Sequence, residues 1–182
     1  RLDEAAFDDI YVVGDVHGCP DELDALLEQL DPGPSDLLLF VGDLVRKGPD
    51  SRAVVERVRS LPNACSVRGN NEDKLIAGRT ELPALDPLSD YLASLPLVIS
   101  VGDAMVVHGG VDPRRDLEAH DPADLLNFRA VPPENGYDGP FWWESYEGPT
   151  RVLFGHTVLE APVVTDHAVG LDTGCVYGGQ LT

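Results

Sequence analysis

The sequence predicts an α/β fold in which two packed sheets are flanked by helices. Two observations carry that prediction. In the first half, short apolar runs that stop at glycine alternate with stretches of helical period, as expected when helices join parallel strands. In the second half the helical signals thin out and short β-prone runs follow one another.

Taken in order, Ile10 to Val13 is an apolar run ending at Gly14, the mark of a buried strand. Pro20, Asp21 and Glu22 open a helix whose Leu23, Leu26, Leu27 and Leu30 share one face. Leu37 to Val41 is a second strand, stopped by Gly42. Pro49 to Leu61 is a second helix with Val54, Val55 and Val58 inward. Ala64 to Val67 gives a third strand, closed by Gly69, and Asn71 to Ala77 a third helix. Leu88 to Leu95 reads as a short helix. Leu97 to Val101 and Ala104 to Val107 read as antiparallel strands about Gly102-Asp103. Residues 112 to 150, rich in Pro, Gly and acid, read as loops near a site with one helix at Ala123 to Phe128. Strands are expected at Val152 to Phe154, Val163 to Thr165, Ala168 to Leu171 and Val176 to Leu181. No repeat or linker divides the chain, and residues 1–182 are expected to form one domain.

Composition narrows the partners. The chain has 32 acidic and 13 basic residues, a net charge of -19, and only two lysines, Lys47 and Lys74. Such a surface repels nucleic acid and anionic membranes, so neither is an expected partner. Scarce lysine with heavy acid fits salt adaptation, and fits an ordinary acidic protein equally well. Cys19, Cys65 and Cys175 are odd in number and widely spaced. They suggest a reducing compartment and no disulfide framework, with Cys65 and Cys175 read as small buried apolar residues. No signal peptide and no membrane-length apolar run is seen, although Arg1 leaves the true start open. The expected location is cytoplasmic.

The chemistry sits in motifs that each follow an expected strand: Gly14-Asp15-Val16-His17-Gly18, Gly42-Asp43-Leu44, Gly69-Asn70-Asn71-Glu72, and the sites of His108 and His156. Carboxylate, amide and imidazole groups at strand ends lie where α/β sheets place their ligands. The donor mixture suits divalent ions, manganese first, with iron, zinc, nickel or cobalt as the other candidates. Each motif alone has an ordinary structural reading, a turn Asp or a core His. Five of them in series are harder to explain that way.

In this order the motifs resemble the calcineurin-like metallophosphoesterases, in the branch of phosphoprotein phosphatases and symmetrical diadenosine tetraphosphatases. Leu171-Asp172-Thr173-Gly174-Cys175-Val176-Tyr177-Gly178-Gly179 resembles the tetraphosphatase-like members. The resemblance implies a four-layer α/β/β/α sandwich and a dinuclear centre. Asp15 and His17 would bind the first metal, Asp43 would bridge, and Asn70, His108 and His156 would complete the second. Two divalent ions against two aspartates leave a local surplus of positive charge, an anion site that the acidic surface could not provide. The implied reaction is attack on phosphorus by a hydroxide held between the ions, with a phosphorylated small molecule, a nucleotide or a phosphoprotein as substrate.

Departures from the family bear on substrate. Arg46 stands where phosphoprotein phosphatases have the Asp of the acid dyad, and Asn71 where they have its His. Lys47 replaces a phosphate-gripping arginine, keeping charge without the bidentate fork. Arg129 is the candidate second phosphate arginine, with Arg46 and Arg68 as other options, and Tyr177 is a candidate for the mouth of the site. Asp43, Asn70, Lys47 and Asn71 are the expected catalytic positions. Without the dyad, good leaving groups are favoured, unless His120, His167 or metal-bound water donates the proton. The expected activity is a serine/threonine phosphatase-like hydrolase of a phosphomonoester or nucleotide polyphosphate. A diadenosine tetraphosphatase proper and a non-catalytic metal-binding pseudophosphatase are the alternatives.

Overall fold

A computed structural model describes all residues from Arg1 to Thr182. Strands β1 (Ile10–Val13), β2 (Leu37–Phe40) and β3 (Ala64–Ser66) alternate with helices α1 (Pro20–Leu30), α2 (Ser51–Ser60) and α3 (Asn70–Ile76). The three strands lie side by side in chain order, all parallel. Parallel neighbours need a crossover, and α1 and α2 supply it. Proline at the start of α1 sacrifices only an N–H that has no helical partner, and Asp21 and Glu22 beside it suit the positive helix end. Asp50 caps α2 by accepting from the Ala53 N–H.

The second sheet contains β4 (Val98–Val101), β5 (Ala104–Val107), β6 (Arg151–Phe154), β7 (Val163–Val164) and β8 (Ala168–Gly170), in the order β4-β5-β6-β8-β7. β4 and β5 form the expected hairpin, with Val101 opposite Ala104, while β5, β6 and β8 run parallel. The carboxyl ends of β1, β2, β3, β5 and β6 carry the sequence motifs.

Strand alternation sorts the core into layers. Leu37 and Leu39 of β2 face a cluster shared with Ile99, Val101 and Val106 of the second sheet. Leu38 and Phe40 face the other way, onto Leu23 and Leu27 of α1 and Val54, Val55 and Val58 of α2. Met105 and Val107 of β5 point outward into a third cluster with Trp142, Trp143 and Phe154. Helices, sheet, sheet and an outer helical layer give the four-layer arrangement that the resemblance implies.

Two local expectations need correction. Val176 to Leu181 is no strand: Cys175–Tyr177 forms a 3-10 turn between Gly174 and Gly178, whose φ of 71° and 87° breaks any extended run. The short helix expected over Leu88 to Leu95 is α4 (Ser89–Ser94), entered through a 3-10 turn over Pro83–Leu88, where Pro87 has no N–H for a regular helix. Residues 112 to 150 do more than loop over a site. Around α5 (Pro122–Asn127) they deliver the fully buried Trp142, whose ring meets Phe154 edge-on at 4.8 Å. Cys175 is buried as expected, but Cys65 is only partly so. No helix is long and apolar enough to cross a membrane.

Candidate active site

The strand ends deliver the motif residues to one place. Asp15 follows β1, Asp43 follows β2, Asn70 opens α3 after β3, His108 follows β5 and His156 follows β6. Six non-glycine residues have positive φ, and five of them are His17, Asp43, Arg46, Lys47 and His156. Backbone strain is thus concentrated at the site, where such strain tends to serve function. Close backbone approach is needed as well. A side chain on Gly69 would collide with Asp43, and one on Gly155 with the Asp15 carboxylate.

Asp43 is the hub. Its Oδ2 lies 3.5 Å from His17 Nε2, and its Oδ1 lies 3.4 Å from His108 Nε2. Asp15 Oδ2 stands 3.8 Å from His17 Nε2, and both Asp15 oxygens face the His156 N–H at 3.2 Å. Asp15, His17 and Asp43 are all buried, with ligand atoms within 4.8 Å of one another. The Nδ1 atoms of His17 and His108 face the carbonyls of Val45 and Val41 at 3.1 and 2.8 Å, which aims each Nε2 at the carboxylates. His108 Nε2 and His156 Nε2 are buried without a hydrogen-bond partner.

Electrostatics point the same way. Burial, then Asp172 and Asp43, push Asp15 well above the usual carboxylate range. Burial opposes charge on His108 too, yet the adjacent Asp43 raises it to about 10. Burial holds His17 and His156 below their ordinary value, so both are neutral, the form that binds metal. Crowded buried carboxylates, the neutral imidazoles of His17 and His156, and a His108 whose proton answers the charge of Asp43 together suit divalent cations, which would take over that compensation. The donors present therefore fit a metal centre, with one Asp43 oxygen facing His17 and the other His108.

Above this floor opens a cleft of about 250 Å³ lined by Asp43, Arg46, Lys47, Asn70, Asn71 and Arg129, with Lys74, Tyr137, His156, Val158 and Tyr177 completing its wall. Lys47 Nζ lies 2.8 Å from His17 Nε2, a lone pair that cannot serve both the ammonium and a metal. Arg129 Nη2 reaches the His156 carbonyl at 3.4 Å. Asn71 is buried; its amide donates to Asp43 Oδ2 at 2.5 Å and Asn70 Oδ1 at 2.9 Å, while its oxygen accepts from Arg46 Nη1 at 2.9 Å. Arg68 is not part of the cleft: it donates to the Ala93 carbonyl at 2.8 Å and pairs with Asp73. His120 and His167 lie elsewhere, against Asp112 and Gly148.

The profile of calcineurin-like phosphoesterases matches residues 9–180. The chain belongs to that family. Among curated proteins this phosphoesterase is 28% identical to a symmetrical bis(5'-nucleosyl)-tetraphosphatase of Vibrio campbellii, over 94% of this chain and 93% of the relative. It is 30% identical to an asymmetrical bis(5'-nucleosyl)-tetraphosphatase, PrpE, of Geobacillus thermodenitrificans, over 95% and 88%. A crystal structure provisionally named a diadenosine tetraphosphatase superposes with a TM-score of 0.82 at 35% identity, covering 94% of this chain and 86% of that one. A serine/threonine phosphatase of Saccharomyces cerevisiae shares the fold, with a TM-score of 0.62 at 18% identity, covering 91% and 70%. The phosphoesterase is accordingly a metal-dependent hydrolase of phosphoric esters or anhydrides, and its family implies a dinuclear divalent centre.

Four residues near the site were given no role there from the sequence. Glu72 is fully buried, and its carboxylate accepts from the N–H groups of Asp43, Val45 and Gly69 at 3.0, 3.1 and 2.8 Å. It ties the second motif of the phosphoesterase to the third, and its place three residues after Gly69 was the available signal. Asp172, also buried, adds charge behind Asp15. Lys74 lies one helical turn after Asn70, and its rarity was a clue. Tyr137 had no motif around it.

Proposed function

We propose that this phosphoesterase cleaves a phosphoanhydride in a nucleoside polyphosphate, with dinucleoside tetraphosphates as the leading substrate class. The carrying observation is the lining of the cleft: four cations, and no histidine or carboxylic acid outside the candidate metal ligands. Asn71 sits where phosphoprotein phosphatases resembling this chain keep a proton-donating histidine. Its carboxamide is fully used by Asp43, Asn70 and Arg46, and it has no proton to release. General acid assistance is typically worth about 10²–10⁴-fold, and its loss falls hardest on an alkoxide such as serine. A phosphate leaving group, already stabilised as an anion, needs less help. The names of the similar tetraphosphatases support the same class.

In this reading Asp15, His17 and Asp43 would hold one ion, and Asp43, Asn70, His108 and His156 would hold the other, with manganese proposed for both. When bound, the pair supplies Lewis-acid polarisation of a phosphoryl oxygen and a water of lowered pKa. The chain's own groups do the rest. Val41 and Val45 carbonyls orient the two imidazoles, Glu72 fixes the Asp43 loop, and Arg46, Lys47, Lys74 and Arg129 grip the phosphate chain and the departing anion.

The test compares initial rates of the manganese-loaded protein on diadenosine tetraphosphate, an aryl phosphate and a phosphoserine peptide. The expected order is the tetraphosphate first and the peptide last. A preference for the peptide contradicts the leaving-group reasoning, and no turnover of any of them defeats the enzymatic reading.

A further inference from the structure

Two tyrosines at the cleft have no part in the chemistry just described. Tyr137 and Tyr177 are 60% and 63% exposed, although both line the cleft wall. Exposed apolar groups scattered singly are ordinary, but a pair converging on one cleft is not. Each carries one of the cleft cations against its ring: Arg129 Cζ lies 4.5 Å from the Tyr137 centroid, and Lys47 Nζ lies 5.2 Å from that of Tyr177. The two cations are anchored on different histidines of the site, Arg129 on the His156 carbonyl and Lys47 on His17 Nε2. Tyr177 is fixed by its turn, where its N–H donates to the Gly174 carbonyl at 2.8 Å.

Size and charge say what such a rim could hold. At about 250 Å³ the cleft is smaller than the usual range for a whole small-molecule ligand, roughly 300–1,000 Å³. A phosphate chain fits inside it, and anything attached to that chain must lie on the rim. There the exposed aromatic groups are two π faces already backed by cations, with Val158 as the exposed aliphatic neighbour. Purine rings stack on such faces with little regard to sequence of bases, and an adjacent cation strengthens the contact.

Building on the polyphosphate reading, we propose that Tyr137 and Tyr177 are two base-stacking platforms, one for each end of a dinucleoside polyphosphate. The tetraphosphate chain crosses the cleft between them, its charges met by Arg129, Arg46, Lys47 and Lys74. The substrate is thereby recognised by both its nucleosides, and a mononucleotide engages one platform at a time.

Kinetics of Tyr137→Ala, Tyr177→Ala, the double variant and both Tyr→Phe forms on diadenosine tetraphosphate and on inorganic tripolyphosphate provide the test. Base–aromatic stacking worth about 1–3 kcal/mol corresponds to about 5–150-fold. Each alanine should lower the ratio of kcat/KM for the dinucleotide over tripolyphosphate by that factor, chiefly through KM. The double variant should lower it by the product of the two, and the phenylalanine forms should keep the ratio. An unchanged ratio in the alanine variants, whether from no loss or from parallel loss on both substrates, overturns the platforms alone. Wild-type protein that cleaves neither anhydride, while hydrolysing a phosphomonoester, overturns the polyphosphate reading together with them.

Discussion

Glutamine at position 72 would test how the metal-binding loops are held. Glu72 Oε2 accepts from the N–H groups of Asp43 and Gly69, and Oε1 accepts from that of Val45, all out of contact with water. Glutamine keeps the shape but offers one oxygen and one NH2. In its better orientation the oxygen serves Asp43 and Gly69, and the NH2 confronts the Val45 N–H. A buried donor left without an acceptor costs about 1–3 kcal/mol. The loss is partly offset, because burial and then Asp43 already push the Glu72 carboxyl up to about 7, a penalty that a neutral amide escapes. In a domain of this size each kcal/mol moves the melting temperature by roughly 2–4 °C, so a fall of about 2–12 °C is expected. Alanine instead strands three donors, roughly 3–9 kcal/mol, comparable to the whole stability of a typical domain at about 5–15 kcal/mol. Circular-dichroism melting of the manganese-loaded variants, with turnover measured beside it, reads both effects. A Glu72→Gln protein with wild-type melting temperature and wild-type turnover would refute the clamp.

Further outcomes follow from charge. With a net charge of -19, the folded chain repels itself, and melting temperature should rise as sodium chloride shortens the screening length from about 10 Å at 0.1 M to about 3 Å at 1 M; a flat response counts against a strained acidic surface. Asp112 is gripped by the Arg114 guanidinium at 2.7 and 2.8 Å, which holds its carboxyl down to about 2. Because the folded value is depressed, the stabilisation is present above the unfolded value near ~4 and is lost as pH falls toward about 2. The melting-temperature gap between wild type and Asp112→Asn should therefore close across that window, and a gap that persists or widens contradicts the pairing.

Much of the fold was legible because strand and helix signals in residues 10 to 77 agree with one another, from the Leu37–Phe40 run to the proline start of α1. The ligand motifs were legible for the same reason, each lying where a strand ends. What the sequence hid were effects of tertiary contact. Gly174 and Gly178 turn a β-prone run into a 3-10 turn that presents Tyr177. Trp142 gave no periodic signal, yet it fills the outer core against Phe154. Tyr137 reaches the cleft only because the segment after α5 returns to Arg129. Arg68 stood as another option beside Arg129 for the phosphate arginine, and only the fold sends it to the Ala93 carbonyl.

The central claim is that Asp43 joins two metal ions in a phosphohydrolase. Metal content of purified wild type and Asp43→Asn, loaded with manganese and freed of excess, tests it when read alongside turnover of diadenosine tetraphosphate. The account predicts two ions per wild-type chain, at most one tightly held ion in the variant, and loss of nearly all its activity. A variant that keeps two ions and wild-type turnover would contradict it.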